Sequence, residues 1–395
     1  MGMKDRRLLL FTRSLRLFAY GALAVVLVLY LSELGFATSQ IGLLLTLTLV
    51  GDTAVSLVLT TRADRVGRRR ILLAGAVLMA LAGLVFAVTR DFVVLLIAGT
   101  LGVISPSGNE VGPFLPIEQA ALAHVVPPAS RTSVFAWYTL AGAIATAGGA
   151  LAGGGLSEAL HSYRVVVLLY AAAGVLLAFS FSRLSPQVEV GVPVRSALLG
   201  IGASRGIVLK LAGLFALDAF AGGFVVQSFA AYWFYVRFGV SPAALGAIFF
   251  GANVLAGISA LLAARLAARF GLVRTMVFTH LPSNVLLILV PLMPSLPLAV
   301  AVLFLRFSIS QMDVPTRQSY LMAVVGAEER AAAAGVTGVA RTTGAALAPG
   351  VAGLLFAQPA LISVPFFVAG GLKIAYDLLL YNAFVDVRPG EEIAP

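Results

Sequence analysis

Cysteine is absent, histidine occurs three times, and charged residues make up only 11% of the chain. Without cysteine there is no disulfide framework and no thiolate metal site. His124, His161 and His280 stand far apart, without the spacing of a ligand set. Neither G-x-S-x-G nor H-E-x-x-H occurs, and no P-loop is visible, so hydrolase, zinc-protease and ATP-driven chemistry have no sequence support. A soluble domain carries about 25% charged residues. This chain has less than half of that, and cannot face water on all sides. What it has instead is 60% hydrophobic residues and a mean hydropathy of +1.01. It belongs in a bilayer.

A membrane span takes about 20 apolar residues to cross about 30 Å of hydrocarbon. By that measure the chain offers twelve: 12–33, 40–61, 71–89, 93–125, 132–156, 163–183, 208–236, 242–264, 272–293, 297–325, 331–357 and 361–385. The fourth and tenth are too long for simple spans and contain prolines. The N-terminus is basic and then apolar as far as Leu31, with no small-residue cleavage site, and reads as a retained first span. Its Met-Gly start lacks the Ser or Thr that a myristoylation motif needs at the sixth position. One polar stretch, 184–207, divides the spans into two sets of six, giving bundles at 1–183 and 208–395. With the N-terminus inside, most Lys and Arg fall on inner segments, whereas the outer loops hold Arg90, Arg164 and Arg237. This asymmetry places both termini in the cytoplasm, in a plasma membrane of bacterial type. It also accounts for most of the +10 net charge without invoking nucleic acid.

The halves repeat. Shifted by 199 residues, LPIEQAAL (115–122) falls on VPTRQSYL (314–321), matching Pro116 to Pro315, Gln119 to Gln318 and Leu122 to Leu321. Arg131 then meets Arg330, and Gly154 meets Gly353. At an offset of 204, GFATSQIG (35–42) falls on GVSPAALG (239–246), and Arg65-Val66-Gly67 on Arg269-Phe270-Gly271. Two six-helix units in parallel order form the architecture of transporters with parallel repeats.

The loop after the second span, RADRVGRRRILL (62–73), resembles the G-x-x-x-D-R-x-G-R-R/K signature of the major facilitator superfamily, without its leading Gly. The second copy, RLAARFGLVR (265–274), keeps Arg269 and Gly271 and has Ala268 where the acid would stand. The resemblance implies an all-α membrane protein of two pseudo-symmetric six-helix bundles, rocking around a central site. It assigns Asp64, Arg65, Gly67 and Arg68 to a cytoplasmic gate; Gly67 suits a tight turn on chemical grounds as well. GALAGG (149–154) and GAALAPGVAG (344–353) are similar, imperfectly, to an element of antiporter subfamilies. Physically they are small-residue stripes that let helix backbones approach closely.

Ionisable groups within spans carry the functional signal, since each costs about 2.5–3.5 kcal/mol at the bilayer centre on insertion scales. The acids are Asp52, Glu110, Glu118, Asp218, Asp313 and Asp377; the bases are Arg16, Arg306, Arg317, Arg341 and Lys373. Lys373 and Asp377, four apart, are expected to pair locally. Arg306, Asp313 and Arg317, spaced seven and four apart, are expected on one helical face of the tenth span. Glu118, equivalent to Arg317 in the repeat, is expected to approach it as a lock or to share a substrate with it. Glu110 lies in SPSGNEVGPFLP (105–116), too rich in Pro and Gly for an uninterrupted helix. Breaks of that kind line cavities or binding sites, which makes Glu110 the first candidate for a proton- or substrate-binding carboxylate. The other reading places it, solvated, at the outer boundary. Asp52 and Arg341 are expected to pair between bundles, and Asp218 beside Gly222-Gly223 is a further cavity candidate. Tyr20, Tyr30, Gln227, Tyr232, Trp233, Asn253 and Gln311 are candidate polar or aromatic contacts. The resulting expectation is a monomeric, cofactor-free secondary transporter, exporting a small organic solute against protons. Uptake, facilitated diffusion, or a receptor or scramblase on the same fold are the alternatives.

Overall fold

The computed structural model describes residues 2–126, 128–189, 204–326 and 329–387. Most of the 184–207 linker therefore lies outside the described residues. Among those described, every regular element is helical. In chain order they are α1 (Gly2–Glu33), α2 (Thr38–Val66), α3 (Arg68–Val88), α4 (Phe92–Leu101), α5 (Phe114–Val125), α6 (Pro128–Ala159), α7 (Arg164–Ser182) and α8 (Arg205–Gly223). There follow α9 (Gln227–Phe238), α10 (Pro242–Phe270), α11 (Leu272–Leu289), α12 (Leu296–Phe307), α13 (Asp313–Val324), α14 (Arg330–Phe356) and α15 (Val364–Phe384).

Among the described residues, ten helical segments are long and apolar enough to cross a membrane, with α8 and α9 counted as one. The fourth and tenth expected spans are not single helices: each is a pair, α4 with α5 and α12 with α13. The cause is visible in the repeat. Pro116 and Pro315 each occupy the third position of a helix, α5 and α13. A proline is tolerated in a first turn but clashes with the carbonyl four residues back in a helix interior. Both copies leave helical conformation just upstream. In the first copy Gly108 and Gly112 turn with φ of 71° and 79°, which suits glycine alone. The seventh span, expected as 208–236 without interruption, breaks after Gly223 and resumes at Gln227.

The two offsets reappear as helix boundaries. Thr38–Val66 and Pro242–Phe270 have the same length, 204 residues apart, and α12 starts 204 residues after α4. Phe114–Val125 and Asp313–Val324 are also matched in length, now 199 residues apart. The five-residue change falls entirely between the start of α4 and the start of α5.

The described residues fall into two compact units, one within Met1–Val194 and Val226–Asn253, the other within Arg195–Val225 and Val254–Pro395. In the first, α1 is the central element: Ala19 to Leu31 is almost wholly buried. It lies backbone to backbone on α6. A Cβ at Gly149 would stand 2.0 Å from the Phe18 carbonyl oxygen, so this stripe is close packing in the literal sense. Gly149→Val is expected to destabilise the purified protein by about 1–3 kcal/mol, as overpacking does; the check is its midpoint in a thermal-melting assay. The segment carrying α9 and the start of α10 joins this unit through the Ser228 amide on the Pro106 carbonyl (3.2 Å) and the Ala243 amide on the Glu158 carboxylate (2.8 Å). In the second unit, Val208, Phe215, Met276, Tyr320, Tyr376 and Leu380 from α8, α11, α13 and α15 form the core.

Candidate functional site

Charges of the first unit gather where α1 meets the α4–α5 break. Arg16 and Glu118 are both fully buried, and the guanidinium grips the carboxylate with two parallel bonds, Nη1–Oε1 2.9 Å and Nη2–Oε2 2.8 Å. Such forks combine strength with fixed orientation. Thr12 Oγ1 donates to Glu118 Oε1 (2.8 Å), and the Tyr138 hydroxyl donates to Oε2. Glu110, 16% exposed at its side chain, pairs with Arg13 and with Arg16 Nε (3.2 Å). Phe114 covers Arg16 and Tyr138 covers Arg13, at 4.6 and 4.2 Å from the ring centroids. Two arginines thus match two glutamates. The pivotal side chain was absent from the expected site: Arg16 counted as one base among several, and Arg13 as a topology signal. Their three-residue spacing, which puts both on one helix face, was the available clue.

Asp52 on α2 differs. It accepts from the Gly112 amide (2.6 Å) and from Ser56 Oγ (3.5 Å), buttressing the break two residues from Glu110. Among the described residues no cation pairs with it. Arg341, its expected partner, lies in the other unit, where its Nε is buried without an acceptor among the described residues.

The second unit holds a larger network. Asp218 on α8 takes Lys373 Nζ on Oδ1 (2.5 Å) and Arg317 Nη1 on Oδ2 (3.2 Å), and His280 Nε2 stands 3.8 Å away. Arg317 also holds Asp313 (3.1 Å), one turn back on α13. Asp377 meets His280 Nδ1 (2.8 Å) and Asn284 Nδ2 (2.9 Å). Two expectations are corrected here. Lys373 does not pair with Asp377: it reaches across to Asp218 on α8, while the oxygens of Asp377, equally buried, are taken by His280 and Asn284. Glu118 and Arg317 each have partners within their own unit. Arg306, Asp313 and Arg317 do not share a helix face, since the chain breaks between Arg306 and Asp313. His280 and Asn284 were not anticipated; their four-residue spacing opposite a buried acid was the missed signal.

The expected polar contacts prove mostly architectural. Tyr30 hydroxyl donates to the Phe86 carbonyl (2.6 Å) and Tyr20 hydroxyl to the Val111 carbonyl (3.4 Å). Asn253 donates to Gln227 (3.3 Å), the Gln311 amide donates to Ser259 Oγ (3.2 Å), and Trp233 is fully buried.

At the signature loop, Gly67 has φ 109°, a conformation that a β-carbon would strain. The side chain of Asp64 lies outside the described residues. Beside Gly67 the Glu189 carboxylate accepts the amides of Arg68 (2.7 Å) and Arg69 (3.1 Å), closing the N-terminus of α3. An acid there satisfies free amides and complements the helix dipole.

The two networks are the same device with opposite polarity. Glu118 and Arg317 are equivalent in the repeat. Arg16 and Asp218 each lie five residues before a glycine, Gly21 and Gly223, that abuts the carbonyl of Thr146 and of Ala345 respectively. Thr146 and Ala345 are themselves 199 apart. Base on the first helix and acid on the fifth become acid on α8 and base on α13.

A helical membrane protein with buried ion networks at paired helix breaks, repeated in two units, is built like a solute carrier. The chain matches the Major Facilitator Superfamily over residues 9–349, and it belongs to that family. It is 32% identical to an uncharacterised membrane protein of Saccharomyces cerevisiae, across 97% of this chain and 95% of the relative. A stretch covering 30% of this chain and 29% of the relative is 28% identical to the quinolone resistance protein NorA of Staphylococcus aureus. Among solved structures, the nucleoside transporter NupG superposes with a TM-score of 0.78 over 97% of this chain and all of that one, at 15% identity.

Proposed function

We propose that the protein is a secondary transporter that expels a small organic solute by alternating access, coupled to protons, with bundles 1–183 and 208–395 as the moving bodies. The observation that supports this most strongly is the placing of a buried ion network at a helix break in each unit. Charge is retained at membrane depth where it serves a pathway, and irregular backbone is retained where it lines one. The basic inner segments put both termini in the cytoplasm, and Asp64, Arg65, Gly67 and Arg68, now joined by Glu189, form the cytoplasmic gate. Glu110, Glu118, Asp218, Asp313, Arg317 and Arg306 are the solute- and proton-responsive set. Within the first unit, Glu118 acts as the lock, its charge matched by Arg16. Asp52, with an amide, a hydroxyl and no cation among the described residues, takes the coupling proton, and Glu110 beside it completes the path. The NorA stretch and the small-residue stripe favour export.

The test is flux in proteoliposomes, using a solute selected by thermal-shift screening over metabolites, metals and drugs. Asp52→Asn is expected to abolish flux driven by a pH gradient while solute-for-solute exchange continues. Gradient-driven flux at wild-type level in Asp52→Asn and Glu110→Gln alike would remove proton coupling through this site. Movement of no solute at all would leave a receptor or scramblase.

A further inference from the structure

By sequence the spans hold six acids and five bases, close to balance. The second unit taken alone is not balanced. Asp218 is satisfied on both oxygens by Lys373 and Arg317, Asp313 by Arg317, and Asp377 by His280 and Asn284. Arg306 and Arg341 remain. Neither forms an ion pair with a described residue, and the Nε of each is buried with no hydrogen-bond acceptor. Both lie within electrostatic reach of Asp218 and Asp313, and Arg341 also feels the like charge of Arg317. Arg306 has the carbonyl end of α12 and the Phe307 ring, 4.9 Å from its guanidinium carbon, as partial compensation. Arg341, in the middle of α14, has neither.

We infer that Arg306 and Arg341 form an oxyanion site: the transported solute carries a carboxylate or phosphate that these two guanidinium groups receive. The inference rests on the transporter reading above and adds the charge class of the solute. A guanidinium is a planar fork of donors matched to such groups, and at partly buried positions it stays charged where lysine would give up its proton. Four cations, the buried Arg317 and Lys373 and the partly buried Arg306 and Arg341, stand against three acids, so an arriving anion restores the balance. A cationic solute would add to the excess.

The test uses purified full-length protein in detergent. Melting is followed against inorganic phosphate and succinate, with choline and glucose as controls, at constant ionic strength. Phosphate or succinate is expected to raise the midpoint saturably, and choline and glucose to leave it unmoved. Arg341→Gln and Arg306→Gln should each weaken that response at least tenfold, and Arg341→Lys should restore part of it. In the wild-type protein, which carries no folding ambiguity, the same anion should slow phenylglyoxal modification at Arg306 and Arg341, read by peptide mass spectrometry. Repeating the protection in vesicles of phosphatidylglycerol and of phosphatidylcholine separates a lipid headgroup from a free solute. Protection by phosphatidylglycerol alone overturns the assignment to solute. So does a wild-type response to phosphate and succinate no larger than to glucose, or one unchanged in both glutamine variants. Anion binding without flux would leave this site standing and remove the transport reading; flux of an uncharged solute without anion binding would do the reverse.

Discussion

Glu118→Ala is expected to destabilise the protein by about 3–5 kcal/mol, the range seen when one partner of a buried ion pair is removed. Arg16 would be left fully buried with only the shared Glu110 to answer it, and Thr12 and Tyr138 would lose their acceptor. The polarity inversion provides a sharper test than the deletion. The double variant Arg16→Glu with Glu118→Arg gives the first unit the arrangement of the second, acid on the earlier helix and base on the later. It should recover a substantial part of the melting midpoint that either single change loses. Recovery has a ceiling, because Glu110, Thr12 and Tyr138 are arranged for a carboxylate at 118. If the double variant melts no higher than the worse single one, the two networks are not interchangeable and the equivalence drawn from Gly21 and Gly223 is accidental.

The second large effect concerns Asp218. Asp218→Asn removes one charge from beneath Lys373, Arg317 and the edge of His280, leaving two cations about an amide. It should cost as much as the first, about 3–5 kcal/mol by the same reasoning, and more than Asp313→Asn, which strands no cation since Arg317 keeps Asp218. The ordering is the informative part. Thermal melts of the two variants with equal losses would mean that Asp218 is not the hub of the network. Coupling should also be measurable: Lys373→Met on the Asp218→Asn background should be milder than on wild type, as expected of residues sharing one network.

Much of the architecture was legible because it depends on local rules. Pro116 and Pro315 disfavour a continuous helix but do not decide the matter alone, since Pro282 and Pro349 lie inside α11 and α14. The fourth break was anticipated from its prolines together with its glycines, and Gly149 announced its close approach by having no side chain. The tenth break was harder to see. The residues between α12 and α13, SISQM, include no proline or glycine, and the cause, Pro315, acts downstream. Partner choice was the part sequence could not hold. Lys373 and Asp377 satisfy a spacing rule, yet the helix turns Lys373 toward α8, and that rotation is set by packing, not by spacing. Arg13 and Arg16 were masked by their neighbours: in a basic N-terminal segment, two more arginines look like orientation signals. The Asp52 contact with the Gly112 amide involves a main-chain donor, which no residue pattern displays.

The five residues that distinguish the copies sit in the one kind of place where length can change freely. Inserted into a helix, each residue would swing everything beyond it by about a hundred degrees, given 3.6 residues per turn. Between α4 and α5 the extra chain leaves the downstream helix unchanged, as the matched lengths of Phe114–Val125 and Asp313–Val324 attest, while α4 has 10 residues against 12 in α12. Duplicated halves could therefore drift apart in what they grasp while the helix after the break kept its length, and the interval 102–113 is where the first copy holds the extra chain that carries Glu110 to Arg13 and Arg16.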